Sequence, residues 1–292
     1  MAEVSYSGYG KNAVRVMRVK KNGSHYSICE FDVKVQLQLA TDKDYTSGDN
    51  SDVVATDTMK NTVYVLAKNS AYDSPEQFAL ILCSHFLDTC KQVVRVTISI
   101  EQAPWERMRQ GGVEHNHAFI FAPLAVRFCN VTHKRGSPPV MYAGIQNMKV
   151  FKATQSGFEN FFRDRFTTLP DSSDRAFCTE VYCKYLLEGS LHKLNYDTIW
   201  ASVRDSLLDT FAGPPSTGTY SPSVQNTMFQ AAKSIFGKVQ SITSVDIQMP
   251  NVHHFTADLS KLHEKNNGEL LLPSKEPHGM ITATFSRPKS KL

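Results

Sequence analysis

The chain has 292 residues, of which 41% are hydrophobic and 21% charged, and its formal net charge is +4. These proportions exclude a disordered polyelectrolyte and indicate a packed protein of one large domain or two of ordinary size. Lysines and arginines are scattered, and the one tight cluster, "HKRG" at 133–136, reads as a turn; no apolar stretch approaches bilayer length. Nucleic acid and membrane are therefore set aside as partners.

In chain order, "VRVMRVKK" and "SHYSICEF" flank Asn22-Gly23, a strong hairpin signal. Residues 31–39 alternate strictly, with Phe31, Val33, Val35, Leu37 and Leu39 on one face and Asp32, Lys34, Gln36 and Gln38 on the other. Period two over such a length predicts a strand buried on one side only. The apolar run 53–55 stops at Thr56-Asp57, and a helix-like stretch follows at once. Thr and Asp at that junction read as a cap, at a helix mouth whose N–H groups also favour an anion. The next helix opens with Ser74 as cap and Pro75 in the first turn. Residues 94–100 then alternate again, as 245–249 and 281–285 do later.

In the second half, Ile199, Trp200, Val203, Leu207 and Phe211 form one helical stripe, and a Pro/Gly/Ser-rich loop spans 212–223. Ser223 caps a further helix with Met228, Ala232 and Ile235 facing inward. The order of hairpin, two helices and strands thus recurs. "TDTMKNTVYVLAK" and "QNTMFQAAKSIFGK" echo one another, which suggests two α+β units, 1–136 and 137–292, built on antiparallel sheets. Helices cover one face of each sheet, so the polar face and open edges predict pairing with further copies.

Six cysteines at irregular spacings, without a CxxC pair, read as reduced buried thiols. His115 and His117 in "VEHNHAF" are two apart, a conceivable metal pair, yet apart from Glu114 no further ligand lies at a zinc-like spacing. No GxGxxG, P-loop, GxSxG or HExxH occurs. The chain closes on Ser290-Lys291-Leu292, which reads as a peroxisomal address taken up by the import receptor.

Six ordered segments, "YGKNAVRV", "VVATDTMKNTVYVLAK", "FFRDRFTTL", "SVQNTM", "PNVHHF" and "SKL", resemble the urate oxidase (uricase) family over nearly the whole chain. The resemblance implies two tandem tunnelling-fold (T-fold) domains. Four chains would assemble into a β-barrel pierced by a tunnel, a homotetramer with active sites at subunit interfaces. It also implies oxidation of urate by O2 without cofactor or metal. Matched motif by motif, Lys11, Thr56 and His253 correspond to the family's proton relay. Thr56 and Asp57 would bind the five-membered ring from a neighbouring subunit. Arg175, Gln225 and the Val224 backbone would hold the opposite edge, Phe158 would stack on the purine, and Asn251 would face the place of O2 or water. Relatives usually carry Tyr after the relay His, where this chain has His254. Two other readings stay open. One is a T-fold enzyme of pterins or GTP with zinc on His115 and His117; the other is a non-catalytic purine-binding protein.

Overall fold

The computed structural model describes residues 2–288. Ser290, Lys291 and Leu292 lie outside the described residues. The chain forms two compact units, Met1–Gly144 with Leu186–Asp197, and Ile145–Tyr185 with Thr198–Leu292. The fold is α+β with antiparallel sheets.

In the first unit, β1 (Tyr9–Asn22) and β2 (His25–Leu39) form a long hairpin. Asn22 pairs with His25, so the two-residue turn is Gly23-Ser24, one step beyond the predicted Asn-Gly centre. Gly23 takes φ 59° at the first turn position, which a side chain would oppose. A short α1 (Lys43–Thr46) leads to α2 (Thr56–Asn69), α3 (Pro75–Thr89) and β3 (Val93–Gln102). A two-stranded ribbon, β4 (Trp105–Gln110) and β5 (Val113–Phe121), precedes β6 (Val126–Lys134). The sheet order is β1-β2-β3-β6, antiparallel throughout. Phe31, Val33, Val35, Leu37 and Leu39 are all buried, as the alternation required, and Phe31 stacks on Phe78 of α3; α2 packs on β1 and α3 on β3 and β6, burying Met59, Val63, Phe78, Leu82 and Phe86. Their partners on the other face of β2 stay partly or fully exposed.

β7 (Val140–Lys152) begins in the first unit and ends in the second, where it neighbours β8 (Phe177–Leu187). After α4 (Tyr196–Ala212) and α5 (Val224–Lys238) come β9 (Ile242–Gln248), β10 (Asn251–Thr256), β11 (Leu271–Gly279) and β12 (Thr282–Ser286). β8 also borders β9 and β10, and β12 and β11 extend the sheet beyond them. The α4 stripe buries Ile199, Val203, Leu207 and Phe211, while Trp200 lies half-buried at its margin.

The internal repeat is real but runs in a different register from the "TM" echo. That echo pairs α2 with α5, whereas the structure pairs α3 with α5. Both are 15-residue helices capped by a serine hydroxyl, Ser74 accepting from the Gln77 amide and Ser223 from the Asn226 amide. Both are closed at the far end by one arginine. Arg135 donates to the carbonyls of Leu87, Cys90 and Val93, and Arg287 to those of Phe236, Val239 and Ile242. A single offset relates the two serines and each carbonyl pair. Two matched helix ends with identical capping geometry outweigh a two-letter identity, because a cap answers the unsatisfied backbone groups every helix has.

The first unit also buries an ion pair, Glu76 with Arg127, which an exposed Asp197 joins at the rim. Glu76, 0% exposed, accepts from Arg127 Nε at 3.0 Å and Nη2 at 2.7 Å, and Arg127 Nη1 reaches Asp197 at 2.6 Å. Removing one member strands a buried charge. Arg127→Met is expected to destabilise by about 3–5 kcal/mol, read as a lower denaturation midpoint at unchanged slope. Glu76→Gln combined with Arg127→Met should recover much of that loss, and a double variant as unstable as the single would refute the charge argument.

Candidate active site

The candidate residues gather at one place in each unit. In the first, Tyr9, Gly10 and Lys11 open β1. Gly10 presses on β2 so closely that a Cβ would lie 1.9 Å from the Val35 carbonyl oxygen, so no other residue fits without moving the strand. Immediately after Lys11 the register slips, and Ala13 adopts φ 54°. Such a bulge re-aims the side chains beside it. The Tyr9 hydroxyl accepts from the Val54 amide at 2.8 Å and so ties the start of β1 to the run into α2. Burial pushes the Tyr9 phenol pKa up.

Thr56 and Asp57 do not cap α2. The cap position is Ala55, which makes no side-chain bond, and Thr56 is the first helical residue. Asp57 instead accepts from Lys60 Nζ at 2.6 Å and Asn61 Nδ2 at 2.9 Å. Lys60 chiefly, with a contribution from the Lys11 charge, holds its carboxyl below the usual range. The α2 mouth therefore has no side-chain oxygen satisfying its first amides, which remain available to a ligand. Lys11 on β1 and Thr56-Asp57 at the start of α2 thus belong to two elements that pack together in this unit.

In the second unit, Phe158, Arg175, Val224, Gln225, Asn251 and His253 line one cavity of about 330 Å3, with His254 and Leu169 also on its wall. Residues far apart in sequence meet there because backbone bonds hold them. The Gly157 amide donates to the Ser221 carbonyl at 3.0 Å, the Phe158 amide to Ser172 at 2.7 Å and the Arg175 amide to Ser156 at 2.8 Å. Ser221 is itself fixed from behind. Its hydroxyl accepts from Lys152 Nζ at 2.8 Å and from Thr227 Oγ1 at 2.9 Å, and Lys152 also reaches the Thr219 carbonyl at 2.9 Å. Burial lowers the Lys152 pKa. Ser223 satisfies the Asn226 amide, the Val224 and Gln225 amides of the first α5 turn have no intrahelical acceptor, and both residues line the cavity.

Arg175 is half-buried, its guanidinium carbon 5.4 Å from the Phe158 ring centroid, and burial lowers its pKa. Among the described residues no carboxylate pairs with it. The two histidines differ. His254 Nδ1 lies 3.1 Å from the Val252 carbonyl and its ring packs on Phe151, whereas the His253 ring stacks on Phe255 and its nitrogens make no hydrogen bond among the described residues. His253 is thus the histidine whose nitrogens are uncommitted.

His115 Nδ1 accepts from the His117 and Ala118 amides at 3.3 and 3.1 Å, which spends one of its ligating nitrogens on the β5 backbone. Among the described residues no group of three or more metal-ligating side chains occurs.

The uricase family model matches residues 7–132 and 141–282. The chain belongs to the uricase family. It is 45% identical to the uricase of Oryctolagus cuniculus over 281 residues, covering 96% of this chain and 93% of the relative. It is 44% identical to the uricase of Danio rerio over 287 residues, covering 98% and 96%. The crystal structure of the uricase from Arthrobacter globiformis superimposes with a TM-score of 0.91 at 32% identity, covering 100% of this chain and 97% of that one. Beside the family motifs, the structure adds Tyr9, Gly10, Lys152 and Ser221 as residues that hold the candidate site groups in place. Only Tyr9 and Gly10 left a trace in the sequence, inside "YGK".

Gly10→Ala is expected to open the β1–β2 pairing beside Lys11. Amide exchange at residues 9–11 and 35–37 should rise by at least tenfold while the Asn22–His25 end stays protected; uniform protection would show that β1 absorbs the methyl group.

Proposed function

We propose that the chain catalyses urate + O2 + H2O → 5-hydroxyisourate + H2O2, a step of purine catabolism, without a cofactor. The observation that carries this reading is Arg175, a half-buried cation with no carboxylate partner among the described residues, set beside an aromatic ring in a cavity. That combination asks for a flat anion. The planar guanidinium offers paired N–H groups to an oxyanion and its neighbouring ring atom, the Gln225 amide gives a donor and an acceptor to the same edge, and Phe158 supplies the stacking face.

Urate is electron-rich and, once deprotonated, reduces O2 itself, so the protein needs to supply position, charge and proton transfer. Two electrons pass from the purine to O2, peroxide leaves with two protons, and water adds to the oxidised ring. In this reading Asn251 faces the site shared by O2 and water, and His253 relays protons with Lys11 and Thr56. Thr56 and Asp57 would come from a neighbouring copy in a homotetramer of T-fold domains, whose one-sided sheets leave a polar face for assembly. A peroxisomal location through Ser290-Lys291-Leu292 is the matching proposal, since the reaction releases peroxide.

The test is metal-stripped protein with urate in air. Equal consumption of urate and O2, with peroxide formed and no metal or flavin added, is the expected result; saturable binding without turnover would indicate a binding protein, and neither would overturn the reading. His253→Ala should lower kcat by roughly 100-fold or more, as expected for a proton-transfer group, and His254→Ala by far less. The reverse order would reassign the relay. Arg175→Gln should cost about 2–3 kcal/mol in kcat/KM, the worth of hydrogen bonds to a charged group.

A further inference from the structure

Phe158 is not a lone ring at the cavity wall. Phe161 stacks on it with centroids 4.7 Å apart and planes 8° from parallel, and the Arg163 guanidinium carbon sits 4.3 Å from the Phe161 centroid. Phe161 does not line the cavity, so the face of Phe158 that it covers is the one turned away from the ligand space. The three groups form a column, Arg163, Phe161, Phe158, that ends at the cavity.

The loop is built to hold this column. Asn160 adopts φ 58°, and that left-handed turn brings residue 161 back over residue 158. The Asn160 amide donates to Asp171 Oδ1 at 3.0 Å, and Arg163 Nη2 meets the same oxygen at 3.2 Å. Arg163 Nη1 donates to the Leu169 carbonyl at 2.7 Å. Phe158 and Ser172 exchange amide bonds of 2.7 and 3.1 Å, closing the base. The neighbouring Phe162 is 89% exposed, whereas the stacked Phe161 is half-buried.

We propose that Phe161, backed by Arg163, is a positioning residue that sets the plane of Phe158 for stacking on the purine; this rests on the reading of the site as a urate site. A half-exposed phenylalanine held only at its backbone would sample several rotamers. A ring already clamped in plane loses little freedom when a flat ligand arrives, which lowers the cost of binding. The cation at the outer end draws π-density outward, the right sense for receiving an electron-rich anion on the inner face.

The test is steady-state oxidation of urate, with equilibrium binding of urate under nitrogen in parallel. Phe161→Leu is expected to raise KM and the dissociation constant about fivefold to tenfold, with kcat changed less than twofold. Phe161→Tyr, which keeps a flat ring, should stay within twofold of the parent, and Arg163→Met should shift KM in the same direction as Phe161→Leu by a smaller factor. In a Phe158→Leu background, Phe161→Leu should add nothing, because the ring it positions is gone. An unchanged KM in Phe161→Leu, an equal increase in the Phe158→Leu background, or failure of Phe161→Tyr to rescue would each overturn the column. A parent protein that neither binds nor oxidises urate would overturn the underlying reading instead, and with it the ligand assigned to the column.

Discussion

Ser221 is the residue on which the second unit's cavity hangs. It is 3% exposed, its carbonyl takes the Gly157 amide, its amide donates to Gln155, and its hydroxyl is held by Lys152 and Thr227. From that point one side leads to Phe158 and, through Ser156, to Arg175; the other leads within two residues to the Ser223 cap and the mouth of α5. A half-buried lysine as anchor is costly in solvation, and burial lowers the Lys152 pKa accordingly. Its two oxygen acceptors offset that cost in the charged form.

The two units use one scaffold for opposite electrostatic ends. The offset that aligns Ser74 with Ser223 also aligns Glu76 with Gln225, the second residue of each helix. In the first unit the position carries a charge, is 0% exposed and is satisfied internally by Arg127. In the second it carries a neutral amide that faces an open cavity beside an arginine with no carboxylate partner among the described residues. A buried carboxylate must be paired where it stands, whereas an amide keeps both a donor and an acceptor for something that arrives. At this one position, then, the first unit is closed by its own ion pair, and the second keeps an amide facing open space.

The same logic governs α2. With Ala55 at the cap position, the helix gives up the stabilisation a capping oxygen would bring, commonly about 1 kcal/mol. Asp57 turns along the helix to Lys60 and Asn61 instead of back to the first amides. A mouth without its own oxygen is less stable in isolation and better suited to an external acceptor. Local rules mark such a site by being broken there.

What the sequence determined by itself is what short-range physics decides. The alternation of residues 31–39 settled which face of β2 is buried, and Ser74 and Ser223 settled where α3 and α5 begin, because periodicity and capping involve groups a few residues apart. The ordered motifs marked the family, which the family model and the relatives show. Only the tertiary structure decided that Thr56 lies inside α2 and not at its cap, since Tyr9, from another strand, holds the approach at Val54. It alone placed Arg175, Gln225 and His253 around one cavity, and it alone chose Phe161 over the adjacent Phe162 as the ring behind Phe158. Those outcomes depend on contacts between segments far apart in the chain, and the path that brings them together leaves no local pattern to read.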